Sequence, residues 1–276
     1  MSTIRGLPDP TVSRRYPHFV GTVHRRLSRF ARSPEAAGLV WLVALLALLE
    51  LAVGMGWVAR WIIAPPSGIY EATIDMFSEG ELTDSLLLTL ALVGVTMSIA
   101  ILVGVTAGFL LFRFRDFGIA YEPWLGALFA SPLPLAYPIF LVLFGRSYTT
   151  IVAMALAYAT IPIIINTREG LMGISPVLIN VGRSFNVSSR TMFWKIMFPA
   201  AIPTIFAGIR LGLIYGLLAI VAVEFLTDLG GLGRLVSDLN FRFKVPETYS
   251  AIAIIVLLSA MFFLGLARVE RWLRYR

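Results

Sequence analysis

Few residues of this sequence have the side chains and the spacing that enzyme chemistry requires. Lys195 and Lys244, the two lysines, are followed by isoleucine and valine, so neither completes a phosphate-binding P-loop, in which serine or threonine follows the lysine. His18 and His24 both lie in the polar N-terminal segment, and the chain has no cysteine, which excludes disulfides, iron–sulfur clusters and thiolate metal sites. The sequence therefore predicts a chain that has no catalytic site and binds no metal or cofactor of its own.

Three ionisable residues inside apolar segments are candidate functional groups, because burying a charge in lipid is costly. Glu50 lies a few residues from the middle of its segment, where it could pair with a polar group or face protein. Arg210 can extend its charge towards the end of its segment. Glu224 lies 14 residues further on, about 21 Å along a helix. There it could line an outer gate or hold the turn at 230–233, and both interpretations stay open.

The composition indicates that lipid is the main solvent of these segments. Of the 276 residues, 58% are hydrophobic and 14% are charged, whereas a soluble globular chain has roughly 45–50% apolar and about 25% charged residues. The apolar runs are long and continuous, unlike the alternating strands of a membrane barrel, and they predict an all-α integral membrane protein. A helix needs roughly 20 apolar residues to cross the hydrocarbon core. Six stretches are candidate spans: 39–63, 86–112, 124–144, 149–166, 206–226 and 248–267.

The distribution of charge predicts the orientation of the six spans, because cytoplasmic connections carry an excess of lysine and arginine. The N-terminal tail, 1–38, holds seven arginines, and the segment 168–203 and the C-terminal tail, 269–276, are also basic. The loop at 64–85 is acidic and has no base, which suits an external position. Both termini are therefore expected in the cytoplasm. The net charge of +7 is spread over these segments, so it indicates anionic headgroups rather than nucleic acid. Four bases on predicted external turns are exceptions: Arg146, Arg234, Arg242 and Lys244.

Two further groups of residues could shape the interior of the helical bundle. Pro132, Pro134 and Pro138 predict an interrupted helix in 124–144. Broken backbone at membrane depth is tolerated where it is buried in protein or lines a wet cavity. Polar residues could line such a cavity or simply form hydrogen bonds between helices, and glycines four residues apart let helices approach closely, within a subunit or between two copies. The polar candidates are Ser131, Tyr158, Thr160, Asn166 and Glu224, and the glycines are Gly208, Gly212 and Gly216.

The segment 168–203 is amphipathic, too polar to cross the bilayer and yet rich in large apolar residues. Asn186 tolerates a left-handed turn and Ser188 can cap a following helix, so two short helices joined near 186–188 are predicted. Pro199 and Pro203 are expected to break the chain before the next span. The apolar face could enter the groove of a partner protein or lie among lipid headgroups, and the pattern alone favours neither.

This segment resembles the EAA loop of type I ATP-binding cassette (ABC) importer permeases, whose pattern is Glu-Ala-Ala, three residues, Gly, nine residues, Ile, one residue and Leu-Pro. Asn180 stands in place of the glutamate, which removes a charged contact to the ATPase, and Asn186 stands in place of the glycine, a mild change because asparagine tolerates positive φ. The flanking residues resemble the sulfonate, nitrate and taurine branch in particular. The resemblance assigns the following residues to the ATPase-coupling loop: Gly182, Arg183, Phe185, Asn186, Phe193, Ile196 and Pro199.

The resemblance also implies the fold and the function. It implies the type I ABC importer permease fold, with about six transmembrane helices and a cytoplasmic coupling helix. The permease core would span 81–268, after the first span and its acidic loop at 39–80. The implied function is that of the membrane-spanning permease subunit of an ATP-driven solute importer in a bacterial inner membrane. The branch suggests small organic or inorganic anions as the solute.

The partners follow from the same resemblance. They are ABC ATPase subunits, which would hold the ATP and Mg²⁺, a second permease copy in a homodimer, an external solute-binding protein and the lipid bilayer. The residues alone leave two alternatives. One is an ion-coupled secondary carrier, for which only Glu50 and Glu224 could serve as coupling acids. The other is a membrane scaffold that transports nothing, in which 168–203 would bind something other than an ATPase.

Overall fold

The computed structural model describes residues 34–131 and 133–274, and these residues form helices joined by short connections. The basic tail predicted before residue 34 and the last two residues lie outside the described part. Two compact units divide between Trp57 and Val58; the first contains α1 and the second all other elements. The helices are α1 (Pro34–Gly54), α2 (Pro66–Ser78), α3 (Glu81–Arg113), α4 (Arg115–Ala130), α5 (Tyr137–Phe144), α6 (Tyr148–Met172), α7 (Pro176–Ser184), α8 (Ser189–Met192), α9 (Phe198–Leu226), α10 (Gly231–Phe241) and α11 (Val245–Arg274).

Four helices of the described chain are long and apolar enough to cross a membrane. They are α3, α6, α11 and the continuous helix Ser189–Leu226, which contains α8 and α9. Each contains a span predicted from the sequence, so the all-helical membrane fold is confirmed. The first predicted span, 39–63, is too long at its C-terminal end. There α1 stops at Gly54, because the chain turns through Gly56 at φ 77°, a conformation that glycine adopts without strain.

The third predicted span is interrupted as expected. Helix α4 ends at Ala130, Ser131 is extended, a 3₁₀ turn covers Leu133–Ala136, and α5 has only 8 residues. Many large apolar side chains of α4 and α5 are exposed, among them Trp124 and Val142. This segment therefore presents a broad apolar surface to its surroundings.

Helix α6 forms the centre of the second unit, between α3 and α9. Glycines allow both neighbours to approach it. A methyl group at Gly104 of α3 would lie 2.7 Å from Cβ of Ile163, and one at Gly212 of α9 would lie 2.9 Å from Cδ1 of the same isoleucine. The glycines that face α6 are Gly104 and Gly108 on α3, and Gly208, Gly212 and Gly216 on α9. The glycine stripe of α9 is thus buried within the subunit, and this face is closed to a second copy.

The predicted break at Pro199 and Pro203 is wrong. The chain runs as one helix through Ser189–Leu226, with a π-helical turn at Phe193–Met197. In this turn the backbone N–H of Phe198 donates to the carbonyl of Phe193, five residues earlier. A π turn inserts one extra residue into the helix, so the missing N–H and the ring of Pro199 are accommodated where an α-helix would suffer a clash. Pro203 lies inside the same helix.

Two amphipathic helices cover the ends of the long ones. Most of the acidic loop is folded into α2, which begins at Pro66, and Thr73 on its buried side lies 2.7 Å (Oγ1 to Oγ) from Ser250 of α11. Helix α10 packs against α3, α9 and α11 and buries Leu232, Leu235 and Leu239. Because α10 follows the C-terminal end of α9, it lies at the opposite end of that helix from α7.

Candidate functional site

Of the two short helices predicted in 168–203, the first and the turn that follows it are confirmed, whereas the second is the first turn of the long helix Ser189–Leu226. The side chain of Ser175 caps α7 by accepting a hydrogen bond from the backbone N–H of Val177 (3.3 Å), and Ser188 caps α8 in the same way through Thr191 (3.3 Å). Between the two helices, Asn186 has φ 52°, the left-handed conformation for which asparagine is the best substitute for glycine. Local sequence chemistry therefore sets this helix–turn–helix.

Helix α7 is held against the π-helical turn through a glycine. Gly182 is buried, and a methyl group in its place would lie 2.7 Å from Sδ of Met192 and 2.8 Å from Cδ1 of Ile196. Phe193 continues the contact into the membrane, since its ring centroid lies 4.9 Å from that of Phe109 on α3. Ile196 and Phe193 therefore face inward and connect α7 to α9 and α3.

The outward side of α7 carries an apolar stripe, which we call the outer stripe: Val177, Leu178, Val181 and Phe185. All four side chains are exposed, Phe185 at 78% and Val177 at 68%. At 100° per residue they lie within an arc of about 100°. The sequence prediction included only Phe185 of this set. Only their helical spacing within 176–184 could have identified Val177, Leu178 and Val181 from the sequence, since apolar residues three and four apart share one face.

The remaining predicted coupling residues lie around this stripe. Arg183 is exposed on α7, Asn186 forms the turn, and Pro199 is exposed at the first turn of α9. Asn180, which stands in place of the glutamate of the motif, is also exposed. The structure thus separates the predicted set into an outward part and an inward part.

The five polar candidates for a wet cavity do not come together. Ser131 is exposed at the end of α4, whereas Tyr158 is buried. The side-chain amide of Asn166 donates to the carbonyl of Pro162 in its own helix (2.8 Å), and Thr160 is half-buried. Glu224 is fully buried and accepts a hydrogen bond from the backbone N–H of Gly233 (2.9 Å), so it holds the turn before α10.

A buried cation near the C-terminal end of α6 was not expected from the sequence. The side chain of Arg168 is only 8% exposed, and its Nη1 lies 3.2 Å from carboxylate oxygens of both Glu122 on α4 and Glu169 on α6. Its Nε has no hydrogen-bond partner. Gly118 makes room for the guanidinium, since a methyl group there would lie 3.0 Å from that Nε. The sequence predicted Arg168 only as one of several cytoplasmic bases.

Five other bases within or beside the spans form ion pairs. Nη1 of Arg210 lies 3.2 Å from Oε2 of Glu270 on α11, an ion pair rather than the free snorkelling charge expected. The four bases that were exceptions to the charge rule also lie beside acids. The pairs are Arg146–Asp228 (3.1 Å), Arg234–Asp228 (2.6 Å), Arg242–Asp238 (2.9 Å) and Lys244–Glu247 (3.7 Å).

The chain is similar to known transport proteins over most of its length. Residues 66–275 match the family model described as "Binding-protein-dependent transport system inner membrane component". The formylaminopyrimidine transport permease protein ThiX of Halalkalibacterium halodurans is 25% identical over 210 residues, which cover 76% of this chain and 84% of ThiX. The bicarbonate transport system permease protein CmpB of Synechococcus elongatus is 28% identical over 249 residues, which cover 82% of this chain and 89% of CmpB.

A solved structure shows the same fold. A chain of the MetNI methionine ABC transporter in an inward-facing conformation superposes with a TM-score of 0.62 at 16% identity. The superposition covers 71% of this chain and 97% of that chain.

Proposed function

The chain belongs to the family of binding-protein-dependent transport system inner membrane components and is a permease subunit of an ABC importer, and on that premise we propose that the outer stripe of α7 is its docking surface for a separate ATPase subunit. The stripe is a short helical face of the kind that enters an apolar groove on a partner. Its four side chains face away from the subunit, so a groove can bury them without displacing any internal contact. ATP and Mg²⁺ would be held by the ATPase and not by this chain.

Movement of the ATPase can reach the spans through the inward contacts of α7. Gly182 packs on Met192 and Ile196, and these residues belong to the helix that continues through Leu226. Phe193 adds the contact with Phe109 of α3. A displaced α7 would therefore move α9 and α3 with it. The ATP-bound ATPase would have different affinities for the inward- and outward-facing states of the permease. ATP binding would therefore shift the populations of these two states.

The apolar surface of α4 and α5 supports the participation of a second permease copy. These helices leave many large side chains uncovered, while the glycine stripe of α9 is already buried against α6. The translocation path would then lie between the two copies, in a homodimer, with α4 and α5 beside it. An external solute-binding protein would deliver the solute to the end of the subunit that carries α2 and α10.

The orientation of the chain follows from the positions of its charges. The basic residues of α7 and α8 lie at the end of α9 that would face the cytoplasm, whereas the bases at the opposite end are compensated by Asp228, Asp238 and Glu247. Both termini would lie in the cytoplasm. The protein is a multi-pass membrane protein, and we place it in the bacterial inner membrane.

The solute that we propose is a small anion, by likeness to the relative named for bicarbonate. The relative named for formylaminopyrimidine makes a small neutral heterocycle the second candidate. Uptake of labelled bicarbonate and of labelled formylaminopyrimidine by cells that express the complete transporter would separate the two. Uptake of the pyrimidine alone would refute the anion.

The docking proposal is tested by purifying tagged permease from its native membranes in mild detergent and measuring the ATPase that accompanies it. The double variant Val181→Ala with Phe185→Ala should reduce ATPase recovery about tenfold or more, as expected for loss of interface residues worth about 2 kcal/mol. Phe241→Ala with Phe243→Ala is the matched control, because both phenylalanines are exposed at the opposite end of the subunit. Equal recovery from the two double variants would exclude the outer stripe as the docking surface.

A further inference from the structure

A buried polar network joins three helices at the end of the subunit away from α7. Glu224 on α9 is fully buried, and its carboxylate accepts hydrogen bonds from the hydroxyl of Thr89 on α3 (2.9 Å to Oε1) and from the backbone N–H of Gly233 on α10 (2.9 Å to Oε2). The hydroxyl oxygen of Thr89 in turn accepts from the backbone N–H of Leu232 (2.9 Å). Thr89 is also fully buried. Both carboxylate oxygens of Glu224 and the hydroxyl oxygen of Thr89 therefore accept hydrogen bonds.

The network replaces the usual cap of a helix. Gly230 precedes α10 and has no side chain that could accept from the first backbone N–H groups, which otherwise lack partners. Thr89 and Glu224 accept from the second and third residues of α10 instead, from two other helices. A carboxylate is also stabilised by the partial positive charge of a helix N-terminus. Stabilisation by the helix N-terminus is important here because no basic side chain within 34–131 and 133–274 forms an ion pair with Glu224.

The sequence of the turn is fitted to this carboxylate. Gly231 has φ 89°, and a methyl group there would overlap the carboxyl group of Glu224. A methyl group at Gly233 would overlap the carbonyl oxygen of Val221 and lie 2.8 Å from Cβ of Glu224. Only glycine at both positions allows the N-terminus of α10 to approach so closely.

The connection after α5 and the first residue of α6 are tied to the same region by contacts of a different kind. Arg146, between α5 and α6, pairs with Asp228, but both side chains are more than half exposed. The hydroxyl of Tyr148 donates to the carbonyl of Leu229 (2.9 Å), also at the surface. Exposed ion pairs contribute little to stability, because water and salt screen them. Breaking the Glu224 network would instead leave buried polar groups without partners, which is far more costly.

We propose that Glu224 and Thr89 are positioning residues for transport, which hold α3, α9 and α10 together as one rigid outer block through the ATP-driven cycle, while the adjacent α5 segment moves against that block. Opening towards the outside would then take place beside α5 and not by separation of α10 from α3 and α9. The proposal goes beyond the docking surface and rests only on the importer activity of the family.

The test is hydrogen exchange of the purified permease–ATPase complex in lipid nanodiscs. Two peptides are compared, 230–241 and 133–148, in the nucleotide-free complex and after trapping with Mg²⁺, ATP and vanadate. In the wild type, 230–241 should stay protected in both states, and 133–148 should change between them. Deprotection of 230–241 in the trapped wild type would overturn the proposal.

Variants separate positioning from folding. Thr89→Val and Glu224→Ala should raise exchange in 230–241 by about tenfold or more, as expected for the loss of a buried hydrogen bond, and should diminish the nucleotide-dependent change in 133–148. Thr89→Ser keeps the hydroxyl and should behave as the wild type. Unchanged exchange in both 230–241 and 133–148 for Thr89→Val would contradict the proposal.

A glycine pair provides an independent check that leaves every polar group in place. Gly233→Ala should act like Thr89→Val, because the methyl group separates α10 from Glu224. Gly94→Ala on α3 is the matched control, since nothing lies within 4 Å of the added carbon. Identical hydrogen exchange for Gly233→Ala and Gly94→Ala would show that glycine at position 233 is not required for the contact between α10 and Glu224. ATPase copurification is recorded for every sample, so that failure of the docking proposal is seen separately.

Discussion

Gly182 of α7 faces Ile196 of the π-helical turn so closely that a methyl group on the glycine would lie 2.8 Å from Cδ1 of the isoleucine. This contact divides the candidate coupling residues into two sets with different roles. Ile196 and Phe193 hold α7 on the membrane domain, and the outer stripe on the other side of α7 is free to meet a partner. The predictions below separate these roles.

Gly182 should tolerate a small side chain and reject a large one. Gly182→Ala gains up to about 1 kcal/mol of helix propensity, which offsets the shift demanded of the flexible ends of Met192 and Ile196. Gly182→Leu should cost about 1–3 kcal/mol through overpacking and should reduce ATPase recovery, because α7 is displaced. Thermal denaturation followed by size-exclusion chromatography measures the change in the stability of the permease. Gly126→Leu is the control, since no atom lies within 4 Å of a carbon added at that position. A loss of stability in Gly126→Leu equal to that in Gly182→Leu would refute the role of Gly182.

Phe193 and Phe185 should differ in what their loss affects. Phe193→Ala removes a half-buried ring that packs against Phe109 (4.9 Å between centroids), and it should lower the free energy of unfolding by about 1–3 kcal/mol, less than for a fully buried ring. Phe185→Ala removes an exposed ring and should leave the stability of the isolated permease unchanged, while it reduces ATPase recovery. The same denaturation assay, run beside the copurification, distinguishes the two. A stability loss at Phe185 as large as that at Phe193 would contradict this division.

The two carboxylates beside Arg168 should substitute for each other. Glu122 and Glu169 both lie 3.2 Å from its Nη1, so Glu122→Gln alone should cost no more than about 1 kcal/mol, as for an exposed partner. The double variant Glu122→Gln with Glu169→Gln leaves a buried guanidinium without a counter-ion and should cost about 3–5 kcal/mol. The excess over the sum of the single effects measures the coupling. Additive losses would show that the two carboxylates do not substitute for each other.

The ion pairs of Asp228 with Arg234 and Arg146 should make a small, pH-dependent contribution to stability. The hydrogen bond and charge of Arg234, with a smaller effect of Arg146, hold the pKa of Asp228 below its usual value. Since the pKa is lowered on folding, the stabilisation is fully present above the unfolded pKa of about 3.9 and is lost as the pH falls through the lower folded value. Thermal stability of the wild type should slightly exceed that of Asp228→Asn at pH 7 in low salt. The difference should vanish in strong acid, and a difference that grows in acid would contradict this sign.

Local chemistry made the helix–turn–helix of 176–192 predictable. Asn186 and Ser188 carry the turn and the cap within a few residues of each other, so no distant contact is needed. The orientation of Phe193 and Ile196 was not predictable in this way. Both sides of 176–198 carry large apolar residues, and the ring that Phe193 meets, Phe109, lies more than 80 residues away. The family resemblance assigned both inward and outward residues to coupling without separating them.

The remaining differences also have physical causes. The break expected at Pro199 did not form because a π turn, which the residue types do not reveal, absorbs the missing donor. Glu224 was recognised as a costly buried charge, and holding the turn at 230–233 was one of its two interpretations. Its second partner, Thr89, is separated from it by 135 residues, and no sequence spacing connects them. The membrane fold and the family, by contrast, follow from hydropathy and one motif.

The most direct test of the central claim is photo-cross-linking from the outer stripe. The chain has no cysteine, so Val181→Cys introduces the single thiol of the permease, which can be labelled with benzophenone maleimide in the purified subunit before the ATPase is added back and the complex is irradiated. We expect a cross-link from position 181 to a nucleotide-binding ATPase subunit, identified by mass spectrometry. We expect none to that subunit from Phe241→Cys, since Phe241 is exposed at the opposite end. A cross-link to the ATPase from position 241 but not from position 181 would contradict the assignment of α7 as the docking helix.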